Sequence, residues 1–169
     1  MSEHSTLIIA KNVKLIREAL GLSQKDFAIL SSISRASLIK MEAGNSNYNI
    51  KLLHSILSFA QFDLAEISKS NFKIFDGYRD KLIKMYFKDL SKRIILENQP
   101  TLVYCIKFYL LKTNFLDRPK EIREITTFFR SKSWYFSGNS IQIALKRMPD
   151  LIEIRKHESK GNTNVYLKK

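Results

Sequence analysis

The run Gly21-Leu22-Ser23-Gln24-Lys25-Asp26-Phe27-Ala28, continued by Ile33-Ser34-Arg35-Ala36-Ser37-Leu38 and closed by Glu42-Ala43-Gly44, decides how this chain folds. It sets out two short helices joined by a tight turn. The first N–H groups of a helix lack partners within it, and serine hydroxyls accept from them. Ser23 is therefore placed to open one helix and Ser34 the next. Asp26 stands three residues after Ser23, where a capping box puts its carboxylate, one methylene shorter than the usual glutamate. Phe27 and Ala28 face inward from a helix expected over about 24–31, and Leu38 and Met41 from one over about 35–42. Ser34, Arg35, Ala36, Ser37 and Lys40 remain on or near the outside of the second helix, and all are small, polar or basic.

Working outward, Ile8, Ile9, Val13, Ile16 and Leu20 recur at helical spacing over 7–20, and Gly21 ends that helix in the usual C-terminal way. Two more short helices are expected at about 50–58 and 63–68. Taken together, residues 8–67 resemble the helix-turn-helix domain of lambda-repressor and Cro-type regulators, the XRE family. Arg17, Gly21, Ser23, Gln24, Phe27, Ala28, Ile33, Ser34, Leu38, Glu42 and Gly44 carry the likeness through their joint spacing. The resemblance implies a five-helix lambda-repressor-like domain that binds double-stranded DNA.

The same resemblance assigns roles to residues. Gln24, opening the second helix, would bind a DNA phosphate, a contact that fixes register and carries no sequence information. Ser34, Arg35, Ala36, Ser37 and Lys40 would meet the bases, with Arg35 foremost because its fork can bond guanine O6 and N7 together. The loop Asn45-Ser46-Asn47-Tyr48 would lie along the phosphate backbone. Arg17 and Glu42 would form a structural ion pair whose loss costs stability and leaves specificity alone. One position departs from the pattern: the turn often carries glycine where this chain has Ser32. A left-handed conformation there would cost on the order of 1 kcal/mol.

The charge is unevenly spread. The 169 residues carry a formal net charge of +13, with 8 Lys/Arg against 6 Asp/Glu over 1–70 and 21 against 10 over 71–169. Such a basic surface attracts polyanions, nucleic acid above all. A chain rich in Lys, Ile, Asn and Phe could equally reflect an AT-rich genome. Cys105 is the only cysteine, so no internal disulfide can form, and its apolar surroundings point to a buried inert thiol. The N-terminus lacks the pattern of a signal peptide, and the most apolar segment, Leu102 to Leu111, is about half a membrane span and interrupted by Lys107. A cytoplasmic protein with no membrane partner is expected.

Residues 71–99 read as a linker, turning at Asp76-Gly77, and a helix over about 79–97 striped by Leu82, Tyr86, Leu90 and Ile94, with Ile83 and Phe87 beside it. That helix serves either as core or as a spacer and dimerisation element. From Pro100 an apolar helix is expected over 101–113. A second helix would open at Pro119 and bury Ile122, Ile125, Phe128 and Phe129. A third would start at Asn139 or Ser140, with Ile141, Ala144, Leu145 and Met148 facing in and Pro149 stopping it. An alternating run from Leu151 to Lys156, a turn at Lys160-Gly161-Asn162 and a return over Val165–Lys168 complete a hairpin. Three helices followed by a hairpin resemble a winged helix, an α+β design, over 100–169. On that likeness Ser140, Gln142, Ile143, Lys146 and Arg147 of the third helix, with Lys156 and Lys160 of the wing, form a second DNA site. The competing role for this half is protein interaction. Trp134, Tyr135 and Phe136 are read as core or hinge filler.

No phosphate-binding glycine loop, dinucleotide fingerprint or catalytic carboxylate pair is present, and His4, His54 and His157 with one cysteine lack the spacing of a zinc site. The expectation is a mainly helical transcriptional regulator, a repressor by family habit, without enzyme activity, cofactor or metal. Its partners would be duplex DNA and a second copy of itself. An antitoxin-like partner protein and an RNA binder are the alternatives.

Overall fold

Helical spacing of apolar residues and well-placed caps build the first part of the chain. In a computed structural model, which describes residues 3–44 and 49–169, the chain divides into two units, Met1–Asn98 and Gln99–Lys169. The first unit holds α1 (Glu3–Ala19), α2 (Gln24–Leu30), α3 (Arg35–Glu42), α4 (Ile50–Ala60), α5 (Leu64–Ile67), α6 (Tyr78–Met85) and α7 (Leu90–Glu97). Gly21 takes φ +68° as α1 ends, and its N–H reaches the Glu18 carbonyl at 3.0 Å. Ser23 accepts from the Asp26 N–H and Ser34 from that of Ser37, so both expected caps form. Ser32 does enter the left-handed region, at φ +55°.

The core of this unit gathers Val13, Ile16 and Leu20 of α1 with Phe27, Leu38, Met41, Leu53, Ile56 and Ile67, all buried. Two polar devices close it. Asn12, itself buried, donates through Nδ2 to the carbonyls of Ile67 (2.8 Å) and Lys69 (2.9 Å), tying α1 to the end of α5. Glu42 takes the guanidinium fork of Arg17, at 2.6 Å from Nε and 3.0 Å from Nη2, with its side chain only 4% exposed.

The stretch 71–98, expected as linker and spacer, packs into this same unit. The single helix expected over 79–97 is in fact two, α6 and α7, broken at 86–89. Tyr86 sends its hydroxyl to the Phe59 carbonyl (2.9 Å), and Asp89 caps α7 by accepting from the Lys92 N–H at 3.2 Å. The hydroxyl of Ser91 and the ammonium of Lys92 hold the Asp89 carboxyl down at about 2. Of the expected stripe, Leu82 is fully buried, whereas Leu90 and Ile94 face solvent. Tyr78 donates to the Ala60 carbonyl at 2.8 Å, and burial pushes its phenol well above the usual range. Arg79, 8% exposed, bonds the carbonyls of Leu20, Leu96 and Asn98 and so joins the ends of α1 and α7.

The second unit starts with α8 (Leu102–Tyr104), which runs on as a π-helical turn over Cys105–Tyr109 and a 3-10 turn over Leu110–Lys112, a second 3-10 turn following at Asn114–Asp117. The apolar helix expected over 101–113 is thus present in place but irregular in pitch. Pro119 does not open a helix: β1 (Lys120–Glu121) follows it, and α9 (Ile122–Arg130) begins after that strand. Glu121 pairs with Val165 in the sheet, while its N–H donates to the Glu124 carboxylate at 2.9 Å. α10 spans Gly138–Lys146 and is capped by Ser137, earlier than the Asn139 or Ser140 start expected. β2 (Ile152–Lys156) and β3 (Asn164–Lys168) form the hairpin, and β1 adds to β3, giving an antiparallel sheet of order β1-β3-β2. Ile125, Phe129, Ile141, Leu145 and Tyr166 are fully buried around it, with Trp134 and Phe136 packed against them and Tyr135 69% exposed. Cys105 is buried, as expected.

Removing one partner of a buried ion pair strands the other charge. Glu42→Ala is expected to cost about 3–5 kcal/mol, and Arg17→Met with Glu42→Leu to recover most of it. Urea unfolding of the full chain checks both; a recovery that fails would mean the pair is itself a net source of stability.

Candidate nucleic-acid interface

The start of α3 is built by its cap. Ser34 Oγ accepts from the Ser37 N–H at 3.0 Å, and the two hydroxyls lie 2.8 Å apart. These serines are therefore largely committed to shaping the helix start, and the freely presented side chains there are those of Arg35, Ala36 and Lys40, all exposed. Among the described residues Arg35 and Lys40 make no ion pair, so their cationic groups are open to a ligand. Ile39, 40% exposed on the same helix, was not anticipated. Its exposure follows from position: Leu38 and Met41 fill the inner face, and Ile39 points away between them.

Gln24, the expected phosphate contact, donates through Nε2 to Glu42 Oε2 at 2.9 Å. A carboxamide nitrogen carries two hydrogens, so one remains for an outside acceptor. Glu42 thereby orients Gln24 as well as Arg17. The remaining expected phosphate residues, Asn45, Ser46, Asn47 and Tyr48, lie outside the described residues.

At the second expected site the cap geometry of α3 recurs. Ser137 Oγ accepts from the Ser140 N–H at 3.1 Å, with the hydroxyls 2.8 Å apart. Ser140 is exposed but held in this cap. Ile143 is 42% exposed, and Lys146, Arg147 and Lys156 lie on the surface without an ion pair among the described residues. Two other members sit differently from the expectation. Gln142 is half-buried beside Tyr166, whose phenol burial pushes up while the side chains of Asn164 and Gln142 pull it the other way. Among the described residues no hydrogen bond of good geometry closes on that hydroxyl. Lys160 folds back onto Glu121, which also faces His157 Nε2 at 3.4 Å, so this lysine is already neutralised. The sequence could not reveal this tie, because 39 residues separate the partners. Arg155 is likewise paired, with Glu153 at 2.6 Å.

Among the described residues there is no cluster of His, Cys, Asp or Glu suited to a metal ion, and no helix is long and apolar enough to cross a membrane.

Comparison with known proteins bears on the first unit. Curated proteins and solved structures yielded no match to the chain. A helix-turn-helix family model matches residues 13–67, which take in the C-terminal part of α1 and the whole of α2, α3, α4 and α5. The match supports a DNA-binding regulator of the XRE type, with the helix-turn-helix in the N-terminal part of the chain.

Proposed function

We propose that the chain is a sequence-specific, double-stranded DNA-binding transcriptional regulator that reads the major groove with α3. The observation that carries this reading is the pair of unneutralised cations, Arg35 and Lys40, on a helix whose start is fixed by Ser34 and whose back is fixed by Glu42. Arg35, Ala36 and Lys40 meet base edges, Ser34 and Ser37 shape the approach, and Gln24 spends its second amide hydrogen on a phosphate. Binding is non-enzymatic and needs no cofactor. Repression is the sign of regulation that family habit favours.

The second unit is read as a winged helix that also touches DNA. Its support is connectivity: an irregular helix, a two-residue strand, two helices and a hairpin, with the short strand adding to the last one. Its composition adds to this, since Gln99–Lys169 carries 14 Lys/Arg against 6 Asp/Glu. Lys146, Arg147 and Lys156 are its phosphate ligands; Lys160 is spent on Glu121. Self-association has a separate support in the first unit, where Phe87, Leu90 and Ile94 are 57%, 66% and 54% exposed.

Selection of the full chain against random duplexes should return a defined motif; enrichment of structured RNA over duplex would overturn the reading. Arg35→Ala is expected to weaken binding to that motif by about 1–3 kcal/mol while leaving random DNA nearly unaffected. Equal loss on both sequences would place Arg35 on the backbone. Joint replacement of Lys146 and Arg147 by alanine should flatten the dependence of log K on log salt by about 0.9 for each lost phosphate contact, with the motif unchanged. An unaltered slope would remove α10 from the DNA interface.

A further inference from the structure

The sheet of the second unit has the order β1-β3-β2, so β2 is an edge strand. Two bonds fix which way its backbone groups point. The Lys169 N–H donates to the Leu151 carbonyl at 3.1 Å, and the His157 N–H to the Thr163 carbonyl at 2.9 Å. Between them the register sets Glu153 opposite Leu167 and Arg155 opposite Val165. Ladder bonds of an antiparallel pair fall on alternate residues. Leu151, Glu153, Arg155 and His157 therefore bond toward β3, and Ile152, Ile154 and Lys156 turn their N–H and C=O groups outward. The Ile152 N–H is taken by the Met148 carbonyl at 2.9 Å. Among the described residues no hydrogen bond reaches the Ile152 carbonyl or the backbone groups of Ile154 and Lys156. Ile154, Arg155 and Lys156 are also exposed.

Such a row of open donors and acceptors is a template for another strand. The side chains decide which strand fits. In an antiparallel pair of two β2 strands centred on Ile154, the overlap covers the full length of both. Glu153 of each copy then faces Arg155 of the other, Ile154 meets Ile154, and Lys156 faces Ile152. Moving the centre to Glu153 or to Arg155 shortens the overlap and sets that residue against its own copy, and like charges directly opposite destabilise a sheet. The charge pattern is thus complementary to itself in the one register that uses the whole edge. Glu153 and Arg155 already share a face, bonded to each other at 2.6 Å and 2.9 Å. We propose that β2 pairs in this register with β2 of a second copy, joining their sheets into one. The N–H groups of Ile154 and Lys156 donate across the seam to the carbonyls of Ile154 and Ile152. Four charges alternate on one face, and the pairing engages only the backbone of Lys156, leaving its ammonium available. The dyad stands perpendicular to the sheet, so α10 of both copies lies on the same side. Two five-residue strands make a small contact, of the transient class below about 1,200 Å², so the dimer is weak. This seam is separate from the apolar residues Phe87, Leu90 and Ile94 of the first unit and does not rest on DNA binding.

Sedimentation velocity of the full chain over a range of concentrations tests the seam, with circular dichroism to confirm folding. A monomer–dimer equilibrium is expected. Arg155→Glu and Glu153→Arg each replace two attractive cross-strand pairs by repulsive ones and should weaken dimerisation by about tenfold or more. Mixed in equal amounts, the two variants place a carboxylate opposite a guanidinium at both positions. They should form a heterodimer at least as tight as the wild-type pair, a rescue that a misfolded variant cannot give. A wild-type chain still monomeric at millimolar concentration would overturn the proposal, as would a dimer indifferent to both substitutions or a mixture that stays monomeric. Loss of the dimer in Leu90→Asp, with Arg155→Glu unaffected, would place self-association on the first unit and overturn it equally.

Discussion

One carboxylate sets the geometry of the whole N-terminal motif. Glu42, at the last position of α3, accepts from Arg17 of α1 and from Gln24 at the first position of α2, so three helices meet on two oxygen atoms. Apolar packing alone is tolerant of small rotations, since Leu38 and Met41 can slide against their neighbours at modest cost. A charge-assisted fork is not, because its two parallel bonds require a plane and a distance. The pair thus converts a loosely specified helix packing into a defined angle for α3. The same carboxylate fixes where Gln24 points. A buried pair of this kind adds little net stability over an apolar substitute, so its physical return lies in orientation.

The same device opens the presented helix of each unit. Ser34 with Ser37, and Ser137 with Ser140, each put a serine cap three residues before a second serine whose hydroxyl closes on the first. On the proposed DNA-binding reading, an acidic residue in the first turn of either helix would repel the phosphates, although an acid there would favour the helix dipole. Neutral hydroxyls satisfy the orphan N–H groups and leave the positive end of the helix uncancelled. The first turns of α3 and α10 indeed hold no acid, whereas α2 carries Asp26 and α9 carries Glu124 in theirs. The hydroxyls are spent on this task, which shifts recognition toward the side chains that follow them.

What was legible in the sequence was local. Helices with a serine cap and apolar residues at regular spacing came out close to their observed ends, and Arg17–Glu42 followed from a resemblance with strong spacing. The break between α6 and α7 was hidden by a stripe that looks continuous, because periodicity does not register that Tyr86 leaves the helix to bond Phe59. Asp89, followed by Leu90 and Ser91, was the available signal. Arg79 was unreadable: an arginine followed by Asp80 and Lys81 looks solvent-facing, yet it satisfies three carbonyls at two helix ends. The start of α10 was misplaced because three candidate cap residues stand within four positions, and Ser137 differs from Ser140 only through tertiary packing. Lys160 was legible as a wing cation but not as one already matched by Glu121.

That last tie separates two meanings of a basic surface. Pairing Lys160 with Glu121, Lys120 with Glu124 and Arg155 with Glu153 leaves the excess of cations in the second unit unchanged. The attraction felt by an approaching polyanion depends on that excess, and salt limits its reach to about 8 Å under physiological conditions. Contact is another matter. A phosphate that displaces a carboxylate from a paired lysine gains one bond and loses another, so paired cations contribute little to the bound state. Net charge therefore overstates the number of usable phosphate ligands. On the proposed reading, Lys146, Arg147 and Lys156 would carry what contact energy the second unit can offer, while the paired residues shape the β2–β3 hairpin.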